Sequence, residues 1–242
     1  MSLPEQLSPF RRWIEILAPR LAGATRRDQL AAGLGALFAI GLTGVLSGYL
    51  TGHHDALPLL VAPMGATAVL LFAVPASPLA QPWPVVGGNM VSAAIGVLVV
   101  HLLPPGALAC AVAVACAIVA MAMLRCLHPP GGAAALTTAL LALNGQIPGP
   151  LFVLIPVGLN ALLMVLLAWL FHHLSHHAYP HVPAPAPEPE KARLFTDADL
   201  DAVLADEHEA FDIERADLER LIARVEEAAR RRRASGRPAG KR

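Results

Sequence analysis

The stretch Leu124-Arg125-Cys126-Leu127-His128-Pro129-Pro130-Gly131-Gly132 decides the fold of this chain. It breaks a long apolar run and carries the only Lys, Arg, Asp or Glu between Ala56 and Pro187. An ionisable side chain inside a membrane-length apolar stretch is costly, about 2.5–3.5 kcal/mol on insertion scales, and is read first as functional. Arg125 and His128 are therefore the leading site candidates.

Working outward, the 242 residues are 55% hydrophobic and 15% charged, and the charges fall almost wholly in residues 1–55 and 188–242. Between them, apolar segments of about 17–25 residues follow one another with short Pro/Gly-rich breaks, whereas a soluble core would spread charge along every surface helix. The zero net charge is uninformative, but its distribution is not. Arg11, Arg12, Arg20, Arg26 and Arg27 precede the first span, while Lys191, Arg193 and a C-terminal arginine cluster follow the last. Both ends are expected in the cytoplasm of a multi-pass inner-membrane protein. No cleavable signal is expected at residues 1–27, since the apolar run that follows is too long and lacks a clear cleavage site. Cys110, Cys116 and Cys126 lack CxxC spacing and read as small packing residues.

Proline and glycine punctuate the segments. A first span covers residues 29–50, with Gly44, Gly48 and Gly52 spaced to admit a neighbouring helix. A second, from Leu57 to Val74, carries Pro58 and Pro63 and reads as a broken helix beginning near Pro63. A third runs near Val85 to Leu103, a fourth from Ala107 to Leu127, and a last long one from Leu151 to Leu174. The segment ending at Leu143 is about 20 Å long if it starts at Gly131. If it crosses there are six spans with both basic ends on one side. If it dips and returns there are five and the charge rule fails, so six is preferred. Residues Ala62 to Val69 and Pro129 to Leu136 share Pro, Gly, Ala and Ala at matched places, and an odd number of spans per repeat inverts the second copy. The expected fold is an all-α transmembrane bundle of six segments, as two inverted three-segment repeats with broken helices, plus a short cytosolic helical tail. The chain divides into a cytosolic segment 1–27, a transmembrane domain 28–178, a proline-rich linker 179–193 and an amphipathic tail 194–242. In the tail, Thr196 and Asp199 mark a helix start, and Leu218, Leu221, Ile222 and Val225 share a second helix's apolar face.

A helix that starts inside a membrane presents free N–H groups and the positive end of its dipole, which suits an anion. Pro63, Gly65, Ala66 and Thr67 at one break, and Pro129, Pro130, Gly131, Gly132 and Ala133 at the other, are candidate substrate contacts, with Arg125 adding charge and His128 a protonatable group. The bland alternatives are packing kinks, a snorkelling Arg125 and a His128 that caps carbonyls at the end of the fourth span. Asn89, Asn160, Thr137 and Thr138 offer uncharged donors, though such residues commonly serve interhelical hydrogen bonds. His172, His173, His176, His177 and His181 cluster at the end of the last span without a local Cys or carboxylate, and read as an interfacial polar fringe. No metal, cofactor or nucleic-acid partner is expected. Ser47 and Ser92 lack a GxSxG setting, so no enzyme activity is expected either.

The blocks Ala62-Pro63-Met64-Gly65-Ala66-Thr67-Ala68-Val69-Leu70-Leu71-Phe72, Ser77-Pro78-Leu79-Ala80-Gln81-Pro82, Val86-Gly87-Gly88-Asn89 and Arg125 to Ala134 together resemble the HPP family of integral membrane proteins over roughly residues 20–178. The resemblance implies a multi-span helical protein, and plant plastid and cyanobacterial relatives are associated with nitrite transport. The tail from Phe195 resembles the connector that leads to a CBS pair in some bacterial members. No such pair follows here, so nucleotide regulation in cis is not expected. The leading expectation is a transporter of a small inorganic anion, with nitrite the first candidate, working by alternating access. The alternative is a non-transporting membrane scaffold whose tail recruits partners. Small-residue helix faces and the C-terminal helices offer surfaces for a homo-oligomer.

Overall fold

The computed structural model describes residues 26–52, 60–175, 178–182, 196–207 and 212–234. The basic run through Arg20, the His53-His54-Asp55 loop, His176, His177 and the linker at 183–195 lie outside the described residues. Among the described residues every regular element is helical. The membrane domain contains α1 (Arg26–Thr51), α2 (Pro63–Ala73), α3 (Pro82–Leu102), α4 (Ala107–Met123), α5 (Pro129–Leu143) and α6 (Leu159–Leu174), and the tail contains α7 (Asp197–Glu207) and α8 (Arg215–Ala234). Arg26–Thr51, Pro82–Leu102 and Val153–Leu174 are long and apolar enough to cross a bilayer, whereas α2, α4 and α5 are shorter apolar helices.

Two expected spans are shorter or less regular than their hydropathy suggests. The fourth stops at Met123 instead of Leu127. The last is interrupted at Ile155, whose φ of −133° and ψ of 116° are not helical. Pro156 explains the interruption: it has no N–H to give the helix, and it drives the preceding residue to extended backbone.

The packing is inverted relative to a soluble protein. Leu34, Leu37, Val45, Leu98, Leu108 and Leu166 are exposed, while the buried seam of α1 is Ala32, Gly35, Ala39, Thr43 and Ser47 and that of α4 is Ala109, Ala113, Ala117 and Met121. In lipid, bulky apolar side chains gain nothing by leaving the surface, and helices associate where small residues let backbones approach. On α1 the close approach is at Gly35, where an added Cβ would meet the Phe72 ring at 2.4 Å. The expected Gly44/Gly48/Gly52 contact face is not used as a unit, since a Cβ at Gly44 meets nothing within 4 Å and Gly52 lies past the helix with φ +72°. A close seam at that spacing is instead made by Gly88, Ser92 and Gly96 of α3, set against Gly131, Ala135 and Thr138 of α5.

Two apolar clusters result. One joins α1, α2 and α6 through Ala39, Met64, Leu71, Met164 and Ala168 and takes in Val85 and Ala93 of α3, and the other joins α3, α4 and α5 through Val99, Val100, Ala113, Ala117 and Ala139. In the tail, Thr196 and Asp199 cap α7 reciprocally: the Thr196 N–H and hydroxyl donate to Asp199 Oδ2 at 2.7 and 2.8 Å, and the Asp199 N–H donates to Thr196 Oγ1 at 3.3 Å. The expected apolar face of α8 stays largely open, with Leu221 and Val225 exposed.

Candidate functional site

His128 is the N-cap of α5 and is fully buried. Pro129 confines it to extended backbone, φ −140° and ψ 106°, which swings its ring away from α5 toward the first half of the chain. There Nδ1 lies 2.8 Å from the Leu79 carbonyl and Nε2 lies 3.0 Å from Thr67 Oγ1. A carbonyl only accepts, so Nδ1 carries the proton. In the neutral ring Nε2 is then an acceptor, and the Thr67 hydroxyl donates to it. His128 therefore does not cap the end of the fourth span; it ties the start of α5 to α2 and to the Pro78–Ala80 turn.

Both helix starts have their backbone donors in use. The N–H groups of Met64 and Gly65 donate to Val61 and Ala62 carbonyls at 3.0 and 3.1 Å. Pro129 and Pro130 have no N–H, and the Gly131 N–H donates to the His128 carbonyl at 2.7 Å. Gly65 and Ala66 are exposed, whereas Gly131 is packed against α3: a Cβ there would lie 2.8 Å from Ser92 Oγ and 2.9 Å from the Gly88 carbonyl. Ser92 Oγ, Asn89 Oδ1 and Thr43 Oγ1 are buried with no hydrogen-bond partner among the described residues. Each such atom costs about 1–3 kcal/mol unless something completes it.

The remaining candidates disperse. Asn89 donates to the Val85 carbonyl at 2.8 Å, while Asn160 accepts from Ser47 Oγ at 2.7 Å. Thr137 and Thr138 donate back to Ala133 and Ala134 carbonyls of their own helix. Arg125 is exposed and stands outside the His128 cluster. It closes α4 in a Schellman turn: its N–H donates to the Ala122 carbonyl and the Cys126 N–H to the Met121 carbonyl, with Arg125 itself at φ +53°. Glycine normally fills that left-handed position, and another residue there is strained by about 1–2 kcal/mol.

Sequence reasoning missed the loop that organises this end of the bundle. The Ser77 hydroxyl accepts from the Leu79 N–H, Gln81 donates to the Pro75 and Ser77 carbonyls, and the Tyr179 hydroxyl donates to the Ala80 carbonyl at 3.0 Å. Burial pushes the Tyr179 phenol well above its ordinary range, which keeps it a donor. His172 is also buried, with Nε2 donating to the Leu71 carbonyl at 2.8 Å and the ring stacked on Phe72. Its neighbours in the histidine run gave no sign of this, since His173 is exposed beside Trp169.

A bundle with apolar side chains outside, small and polar ones inside, and prolines opening short internal helices is a helical membrane protein. The chain belongs to the HPP transmembrane-region family, whose pattern matches residues 22–180. It is similar to two Dictyostelium discoideum transmembrane proteins. One is 36% identical over 147 residues, covering 57% of this chain and 51% of the relative. The other is 38% identical over 126 residues, covering 50% of this chain and 40% of the relative. The chain thus spans about half the length, or less, of these relatives. No solved structure matches it.

Proposed function

We propose that this protein carries a small inorganic anion across the cell membrane, with nitrite the first substrate to test, as the HPP resemblance implies. The observation that carries the reading is the buried Thr67–His128 contact, which joins the starts of two short helices from opposite halves of the chain. An arriving anion accepts a hydrogen bond from the Thr67 hydroxyl, and where it enters as its conjugate acid (nitrous acid for nitrite) Nε2 of His128, released from Thr67, takes the acid's proton and becomes a second donor to the anion left behind. Arg125 at the end of α4 draws the anion in. A cation has no counterpart here, because Arg125 is the only Lys, Arg, Asp or Glu between Ala56 and Pro187. That a left-handed position is filled by arginine instead of glycine supports use of the side chain itself.

Alternating access between two inverted halves, with six membrane segments and both ends in the cytoplasm, is part of the proposal. Its support is the pairing of helices. The contacts α1–α2, α1–α6 and α2–α6 correspond to α4–α5, α4–α3 and α5–α3 when each of the first three segments is matched with its counterpart three segments later, with Val85 and Ala93 of α3 also reaching the first group. The third members also agree locally, since Val86, Gly87 and Asn89 in α3 parallel Val157, Gly158 and Asn160. Such exchange of the third segment leaves two packed units able to rock against each other.

The test is anion flux into proteoliposomes holding the purified chain, comparing nitrite, nitrate, formate and chloride at two pH values. Saturable nitrite flux is expected, lost in Arg125→Gln and in His128→Gln while the proteins remain folded. Absence of flux for every anion would refute the reading. A scaffold role is the second reading, favoured by the open Leu221/Val225 face of α8. Deleting residues 188–242 separates the two, because a scaffold loses its phenotype and a transporter keeps substantial flux.

A further inference from the structure

We propose that His181, Glu214 and Asp217 form a divalent transition-metal site that fastens α8 to the membrane domain. The sequence offers His181 no carboxylate nearby, but the fold brings two from the tail. One ligand atom from each of the three residues lies within 4.8 Å of the others. Ligands of a tetrahedral zinc ion stand about 3.4 Å apart for bonds of about 2.1 Å, so small side-chain movements complete the geometry.

Each ligand is positioned by its own element. The His181 N–H donates to Gln81 Oε1 at 2.9 Å, and the adjoining Tyr179 is anchored on Ala80, so the histidine sits on the loop between α2 and α3. Glu214 is the N-cap of α8: its carbonyl accepts from the Asp217 and Leu218 N–H groups at 3.0 Å each. Asp217, three residues on, shares its face of the first turn. A carboxylate at that third position commonly turns back to the helix's own N–H groups. Here it turns outward, with Oδ2 2.5 Å from His181 Nε2 and Oδ1 3.1 Å from Arg220. Arg220 holds one oxygen and so orients the other toward the site, the usual part of an outer-sphere partner.

The surroundings favour a cation. The His181 and Asp217 side chains are only 16% and 11% exposed, and a carboxylate withdrawn this far from water needs strong compensation. A cavity of about 670 Å³ adjoins the site, and its charged lining is Asp28, Asp212 and Asp217 against Arg220, with His172 beside them. That excess of carboxylates gives an attractive entry path and room for water in the remaining coordination position. One imidazole with two carboxylates suits zinc or manganese, whereas magnesium and calcium prefer all-oxygen shells. A metal here would add to the Ser77–Asp212 hydrogen bond of 2.6 Å that already links the tail to the same loop.

The experiment uses the full chain in detergent, stripped with EDTA and then titrated with zinc, manganese or magnesium chloride. Bound metal is counted after desalting, and amide exchange at residues 214–218 is read with and without zinc. One zinc per chain and slowed exchange are expected, with affinity at least tenfold weaker in His181→Ala, in Asp217→Asn and in the milder Glu214→Gln. The variant His173→Ala/His176→Ala/His177→Ala should bind as the parent does. No stoichiometric zinc binding would overturn the proposal, as would zinc binding that survives His181→Ala and disappears in the triple variant. Metal-free melting of each variant, matching the parent, separates loss of a ligand from loss of the fold.

Discussion

Adjacent glycines at the start of α5 should respond in opposite directions to one added methyl group. At Gly131 a Cβ would lie 2.7 Å from Met121 Sδ, 2.8 Å from Ser92 Oγ and 2.9 Å from the Gly88 carbonyl. The methionine can move, but the carbonyl belongs to the α3 backbone. Reaching ordinary contact at 3.4 Å requires the two helices to part by about 0.5 Å there (3.4 − 2.9), along a seam that Gly96 and Thr138 hold equally close. Overpacking of this kind costs about 1–3 kcal/mol, and replacing a helical glycine by alanine returns about 1 kcal/mol at most. At Gly132 the nearest atom is Val114 Cγ1 at 4.0 Å, so only the helical gain remains. Gly131→Ala should therefore be destabilised by up to about 2 kcal/mol, a factor of up to about 30 in folded against unfolded protein, and Gly132→Ala stabilised by about 0.5–1 kcal/mol. Equilibrium unfolding of both variants in the same micelles reads this directly. Equal stabilities for the two, or a Gly132→Ala variant weaker than Gly131→Ala, would refute the α3–α5 crossing.

Arg125→Gly should raise unfolding stability by about 1 kcal/mol by removing left-handed strain while abolishing flux; a loss of stability would mean that the arginine side chain holds the turn. Thr67→Val removes the donor to His128 Nε2 and should cost about 1–3 kcal/mol in thermal unfolding, with Thr67→Ser restoring it; unchanged unfolding of the valine variant would sink the assigned tautomer. The Asp199 carboxyl is held below its ordinary range by hydrogen bonds from the Thr196 N–H and hydroxyl. Its folded form is thus the more acidic, so the capping contribution is complete above the unfolded value near 4 and is lost as pH falls through the folded one. Amide protection in α7, taken relative to the intrinsic exchange rate at each pH, should fall on acidification, and Asp199→Asn should flatten that dependence.

The helix starts were legible because proline announces them. Pro63 opens a helix where expected, Pro129 opens one two residues ahead of the expected Gly131, and Thr196 precedes α7. Pro156 was equally visible, but continuous hydropathy around it masked the interruption, since lipid exposure does not depend on helical regularity. The seam residues show a different limit. Gly44, Gly48 and Gly52 have the same four-residue spacing as Gly88, Ser92 and Gly96, and spacing alone does not say which stripe meets a neighbour. The partners of His128 were beyond local reading: Thr67 lies 61 positions away and Leu79 lies 49 away, and only tertiary packing brings them together. Glu214 and Asp217 escaped for the same reason, standing beyond the linker from His181.

The paired prolines that open α5 bear on the resting state of the protein. A helix that begins away from water ordinarily needs a guest to complete its first donors, which makes the empty form the strained one. Pro129 and Pro130 delete two of those donors, and the Gly131 N–H is taken by its own turn. This helix start thus loses little when nothing is bound to it. Under the proposed transport function this has a kinetic meaning: the α5 start does not oblige the empty form to wait for a substrate, so it permits net flux as well as one-for-one exchange.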